Sequence, residues 1–264
     1  MHLRHPDTVT VSPPTFDRTA FARTDATLTA PHAPYDRDWL MARFGEGLEI
    51  RMLKPPYEGL VMFQPGRLSW RPIEGAEQAV VIHDLRVGTG PLARQSAVRL
   101  WSAVENFAKY YGYAAVLALL GKGPGLVSPS VASPPRGWLH YATGPDGARL
   151  IGHILQGPMA LPAFPSDWQD RAAALGDGIV LQTTGESLPL EARAHGLRGA
   201  LAARGVEVRH DRLSGPDDVR ARALYPGAAY AVACRGCLIG GAELGPDDLL
   251  RAVLSRAEPG QSPS

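Results

Sequence analysis

Ala79-Val80-Val81-Ile82-His83-Asp84-Leu85-Arg86-Val87 runs into Gly88-Thr89-Gly90-Pro91-Leu92-Ala93-Arg94-Gln95-Ser96-Ala97, then a long segment to about Tyr111, then Ala114–Leu119. The first and last runs are short, apolar and rich in β-branched residues, which predicts strands. Between them, Ala97, Leu100, Trp101, Val104, Phe107, Ala108 and Tyr111 recur at i, i+3, i+4 and i+7. Arg99, Ser102, Glu105, Asn106 and Lys109 fall on the opposite face, so the spacing predicts an amphipathic helix lying on a sheet. Gly112 ends it. Strand, loop, helix and strand together predict an α/β fold.

The chain around this unit has 264 residues, 45% hydrophobic, with a formal net charge of +1. That length holds two modest domains or one large one. A near-neutral balance gives no electrostatic case for nucleic acid or an anionic membrane. The longest apolar stretch, Ala114–Leu120, is too short to span a bilayer. The N-terminal residues lack the apolar core of a signal peptide. Two cysteines do not make a secreted disulfide framework. A cytoplasmic protein is the expectation.

Residues 1–34, rich in Thr, Pro, Asp and Ala, read as a loosely ordered arm. Asp36–Phe44 reads as a helix closed by Gly45 and Gly47. Leu48–Leu53, Gly59–Phe63 and Arg67–Ile73 read as strands set apart by Lys54-Pro55-Pro56-Tyr57-Glu58 and Gln64-Pro65-Gly66. Prolines 129, 134 and 135 break regular structure after Leu120. Gly137–Thr143 and Ala148–Gln156 flank Gly144-Pro145-Asp146-Gly147 as a hairpin. A domain over 35–156 is thus followed by a linker, 157–166, and a second domain over 167–257. Within it, a helix capped by Ser166 precedes strand Gly178–Thr183, helix Leu188–Arg204, strand Val206–His210, helix Gly215–Leu224, hairpin Ala229–Gly240 and helix Pro246–Arg256. Residues 258–264 read as a disordered tail.

Asp38-Trp39-Leu40-x-x-Arg43-Phe44-x-Glu46-Gly47-Leu48, Trp70-Arg71-Pro72-Ile73 and Ile82-His83-x-x-x-Val87 resemble the GNAT-type acetyltransferases that carry a YoaP-type C-terminal domain. Pro165-Ser166-Asp167-Trp168 and Gly176-x-Gly178 resemble the start of that second domain. The resemblance covers most of the chain beyond residue 34. It implies a mixed, centrally splayed sheet with flanking helices, followed by a small thioredoxin-like α/β domain. It implies transfer of an acetyl group from acetyl-CoA to the amine of a small molecule or peptide by direct attack. Leu85, Arg86 and Val87 are then the backbone contacts of the pantetheine arm, and residues 92–97 the seat of the pyrophosphate.

A diphosphate binds well at a helix N-terminus, where unpaired N–H groups and the helix dipole face it. The family frame, laid on Leu92-Ala93-Arg94-Gln95-Ser96-Ala97, matches at Ala97. Gln95 stands where a glycine is expected and Leu92 where a basic or amide residue is. Arg94, Ser96 and Arg99 are candidate compensating contacts; otherwise the segment is a plain helix start. The family's cofactor-packing helix after the fifth strand falls on the proline-rich 127–136, without its Asn or Tyr. An alternative is therefore a catalytically inactive GNAT-fold protein that binds a protein partner.

Removing a proton from an ammonium needs a base near the sheet opening. His83 is the first candidate, on the strand lining that opening; the other reading is a hydrogen-bonded core histidine. Because strand residues alternate in facing, only one of His83 and Asp84 is expected to point at substrate. Glu49 is a weaker candidate base, and Tyr141 a weak candidate acid for the leaving thiolate. Cys234-Arg235-Gly236-Cys237 sits on a hairpin turn rather than a helix N-terminus. Structural thiols, a labile disulfide and a metal pair are its three readings, and no metal site is expected from the histidine spacing. Tyr225-Pro226 is a candidate cis bond.

Overall fold

In a computed structural model, residues 7–16, 35–122, 126–128 and 133–257 are described. They form a mixed α/β protein with two sheets. The elements in chain order are β1 (Thr8–Val11), α1 (Arg37–Gly45), β2 (Glu49–Leu53), β3 (Gly59–Pro65), β4 (Ala79–Val87), α2 (Ala93–Tyr110), β5 (Ala115–Leu120), β6 (Leu139–Thr143) and β7 (Arg149–Ile154). Then come α3 (Trp168–Ala173), β8 (Ile179–Thr183), α4 (Leu188–Ala202), β9 (Val208–Arg212), α5 (Pro216–Arg222), β10 (Tyr230–Cys234), β11 (Cys237–Gly241) and α6 (Pro246–Ala257). The first sheet has order β1-β2-β3-β4-β5-β7-β6 and the second β11-β10-β8-β9.

In the first sheet β4 and β5 are parallel and the other neighbours antiparallel. The helix α2 carries the chain between the two parallel strands. Its stripe packs Leu100, Trp101, Val104 and Phe107 onto Val61, Phe63, Val80, Ile82, Leu85 and Val87. Each such side chain, fully buried, contributes roughly 1.5–3 kcal/mol. Ile50, Met62, Trp39, Leu40 and Trp70 face the other way. They share a core with Leu213, Val219, Ala223 and Ala228 from the second sheet's connections. The two sheets are therefore packed together through the face opposite α2.

Several sequence expectations need correction. Residues 8–11 of the expected loose arm are a strand paired along its length with β2. Residues 17–34 and 258–264 lie outside the described residues, as do 129–132 of the proline-rich segment. Arg67–Ile73 is not a strand. Gly66–Leu68 is a 3-10 turn, and Gly66 is pinned so closely that a Cβ would stand 1.9 Å from Ala76 O. The proline at 72 removes a ladder donor from the rest. Within the linker, Ala163 pairs with Glu74 and Phe164 is buried. Asp167, not Ser166, caps α3. The cis X-Pro bond is Pro55–Pro56, not Tyr225–Pro226.

Gly59 starts β3 at φ +150°, and a Cβ there would lie 2.5 Å from Arg86 O on β4. Gly59→Ala therefore combines backbone strain with a clash against the strand that carries the candidate site. Urea unfolding is expected to show a loss of roughly 1–3 kcal/mol. An unchanged midpoint would mean that β3 and β4 do not approach this closely.

Candidate functional site

The parallel pairing of β4 with β5 ends at Ile82↔Ala118. β4 nevertheless continues along β3 to Val87, and β5 continues along β7 to Leu120. The two central strands thus diverge, and among the described residues no strand pairs with the second half of β4 on its β5 side. Val127 occupies part of the gap from the β5 side. Its N–H donates to Leu119 O at 2.7 Å and its carbonyl accepts from Gly121 N–H at 3.1 Å.

A β-bulge falls at the point of divergence. Met62 pairs with Asp84 but Phe63 pairs with Ile82, leaving His83 as the extra residue on β4. The bulge suspends alternation. Both His83 and Asp84 consequently lie on the face away from α2, which corrects the expectation that only one would. His83 Nε2 lies 3.2 Å from Ser69 Oγ, while its Nδ1 is buried without a hydrogen-bond partner. Asp84 Oδ2 accepts from the Tyr35 hydroxyl at 3.1 Å and pairs with Arg86 Nε at 2.6 Å.

The loop after β8 reaches into this cluster. Glu186 receives a fork from Arg71, Nη1 to Oε2 at 3.1 Å and Nη2 to Oε1 at 3.2 Å. Both side chains are buried, at 0% and 1% exposure. The Glu186 carbonyl accepts from Asp36 N–H at 2.9 Å, and Ser187 forms an antiparallel bridge with Tyr35. Burial, with Arg71 beside it, holds the His83 imidazole well below its usual range, so it stays neutral near pH 7. Burial, then Asp84, raises the Tyr35 phenol well above its ordinary value. Burial raises the Glu186 carboxyl against the pull of Arg71.

The expected cofactor residues divide. The helix begins at Ala93, so Arg94–Ala97 are its first turn rather than a loop ahead of it. Arg94 and Gln95 are exposed there, and their N–H groups have no backbone partner among the described residues. Ser96 and Ala97 turn into the core at 1% and 4% exposure, which removes their side chains from contact with a phosphate. Arg99 lies over the Tyr57 ring at 3.8 Å and donates to its hydroxyl at 2.7 Å. Leu85 and Val87 bury their side chains under α2, leaving their backbone on the open edge of β4, while Arg86 is held by Asp84. The donor set fits an anionic cofactor at Arg94 and Gln95, and does not fit it at Ser96 or Ala97.

Of the other catalytic candidates, Glu49 pairs across from Phe63, on the α2 face, and is tied to Arg51 at 2.9 Å. It does not meet His83. Tyr141 lies on the outermost strand, with β7 and β5 between it and β4. Cys234 and Cys237 are free thiols paired across the turn Arg235-Gly236, whose φ values of 51° and 67° are those of a two-residue hairpin. Arg256 Nη2 donates to Cys237 Sγ at 2.7 Å. Among the described residues no group of three or more His, Cys, Asp and Glu side chains is placed to hold a metal.

Sequence reasoning missed Tyr35, Ser69 and Glu186 as members of the cluster. The spacing of Val80, Ile82, Leu85 and Val87, stepping two, three, two, was the available sign of the bulge. No protein-family model, curated protein or solved structure matches the chain.

Breaking a buried ion pair from one side strands the other charge. Arg71→Leu and Glu186→Leu are each expected to cost about 3–5 kcal/mol in urea unfolding, and the double variant less than their sum. Additive losses would show that the two groups do not interact. Alkaline titration followed by phenolate absorbance should find Tyr230, pushed up to about 12 by burial, among the late tyrosines together with Tyr35 and Tyr225. Because those folded values are raised, the stability they contribute is present below the ordinary phenol range and is lost as pH rises through about 12 for Tyr230.

Proposed function

We propose that the chain is a GNAT-like, acyl-CoA-dependent N-acyltransferase whose second sheet belongs to a thioredoxin-like domain of the YoaP type. The observation that carries this reading is the divergence of β4 from β5 at a bulge. It leaves a backbone edge on β4 that no described strand pairs with and that ends beside the open first turn of α2. A free strand edge suits the amide groups of a pantetheine arm, and an open helix N-terminus suits a pyrophosphate. Arg94 and the N–H groups of Arg94 and Gln95 would hold the phosphates, and the β4 backbone at Leu85–Val87 the arm.

Acetyl-CoA would supply an activated thioester carbonyl. The acceptor amine attacks that carbonyl, a C–N bond forms, the C–S bond breaks and the thiolate leaves. The chain's part is to take the ammonium proton, and His83, neutral but made a weaker base by its burial, is the candidate for that work.

A second reading, a GNAT-fold module that binds a partner without catalysis, is supported by two observations. Val127 takes part of the gap, and His83 is wholly buried.

Calorimetry of the full chain with acetyl-CoA separates the two. Binding is expected, weakened by roughly 1 kcal/mol in Arg94→Ala, and absence of heat at about millimolar ligand (a free energy near −4 kcal/mol) would sink the acyltransferase. If transfer occurs, thiol release should fall about a hundredfold in His83→Ala. Because the folded His83 value is lowered, kcat should hold as pH drops through the ordinary histidine range and decline only below it.

A further inference from the structure

The loop Thr184–Ser187, bent at Gly185, lies beside Tyr35-Asp36, on the face of β4 that carries His83 and Asp84. It brings a carboxylate, Glu186, onto the Arg71 fork. This arrangement is not one that stability alone selects. Desolvating a guanidinium and a carboxylate consumes most of their mutual attraction, and the like-charged Asp84 is close enough to act on Glu186. Among the described residues three polar atoms, His83 Nδ1, Thr184 Oγ1 and Ser187 Oγ, are buried without a hydrogen-bond partner. Each such atom costs about 1–3 kcal/mol. A native interface rarely leaves several in one place unless another occupant completes it.

The groups beneath the loop have a definite complementarity. Arg71 offers two parallel N–H donors, the geometry that recognises a carboxylate. His83, on the same face, suits an amine that must lose a proton. A carboxylate and an amine on one small skeleton match both.

We propose that Arg71 is the recognition group for the carboxylate of an amino-acid-like acceptor, and that Thr184–Ser187 is an internal occupant which this acceptor displaces. The loop's carboxylate stands on Arg71 in the closed state, and its withdrawal uncovers His83. Naming the acceptor rests on the acyltransferase reading; the carboxylate site and its occupant do not. In the closed state the apparent affinity for the acceptor is reduced by the fraction of molecules that are open.

The test uses the full chain with L-alanine and L-alaninamide, which share an amine and differ in the carboxylate. Hydrogen exchange should speed up at Asp36 N–H and across 184–187 with alanine and not with alaninamide. Glu186→Gln weakens the occupant's hold on the fork and should tighten alanine binding roughly tenfold by raising the open fraction. Thr184→Ala with Ser187→Ala removes two unpaired buried hydroxyls, favours the closed state and should weaken alanine binding. That second variant keeps the test open should Glu186→Gln fail to fold. Equal exchange with both probes, or no opposite movement of the two variants, overturns the proposal. Alanine binding without acetyl-CoA binding would remove the acyltransferase and leave the site. Acetyl-CoA binding and transfer without an effect of alanine would do the reverse.

Discussion

A guanidinium and a carboxylate drawn from positions 115 apart meet with almost no solvent between them, and the arrangement of the two sheets follows from that constraint. Neither Arg71 nor Glu186 is tolerable in the interior without its partner. The fork therefore holds the loop after β8 on one spot of the first sheet. Around it the apolar surfaces of α1, β2, β3 and α5 close as one shared core. Tyr35, Asp84 and Arg86 extend the polar centre, so that the region between the sheets has a charged middle and an apolar surround.

Trp39, Arg43, Glu46 and Trp70 form one physical assembly. Arg43 lies over the Trp70 ring at 4.3 Å and the Trp39 ring at 5.5 Å, and pairs with Glu46 at 3.0 Å. Trp39 meets Trp70 edge-on. Stacking of this kind contributes roughly 0.5–2 kcal/mol for each cation–ring contact. Its larger effect is geometric. It fixes the backbone of Trp70, and so aims the neighbouring Arg71 at the second sheet.

Much of the framework was legible because it is local. The stripe from Ala97 to Phe107 specified α2, and Gly144-Pro145-Asp146-Gly147 specified the hairpin of β6 and β7. The expected strand pairs fell where β-branched runs lie between turn residues. What was not legible is non-local. Thr8–Val11 is a strand only because β2 offers it an edge. Glu186 belongs to the site only because a second sheet brings it there. Ser96 and Arg99 were sensible phosphate contacts as residue types, but helical phase turns one inward and Tyr57 holds the other. Glu49 failed for a similar reason, since sheet parity set it on the wrong side.

That parity has a further consequence in β4. Upstream of the bulge the even-numbered residues, Val80 and Ile82, face the helix; downstream the odd-numbered ones, Leu85 and Val87, do so. His83 thus acts as a frame marker, dividing the strand into halves read in opposite phase. Were His83 kept but paired in a regular ladder, Asp84 and Arg86 would be carried under α2 and Leu85 and Val87 lifted out of the core. The polar character of one face depends on how a single residue is accommodated in the ladder as much as on the side chains that display it.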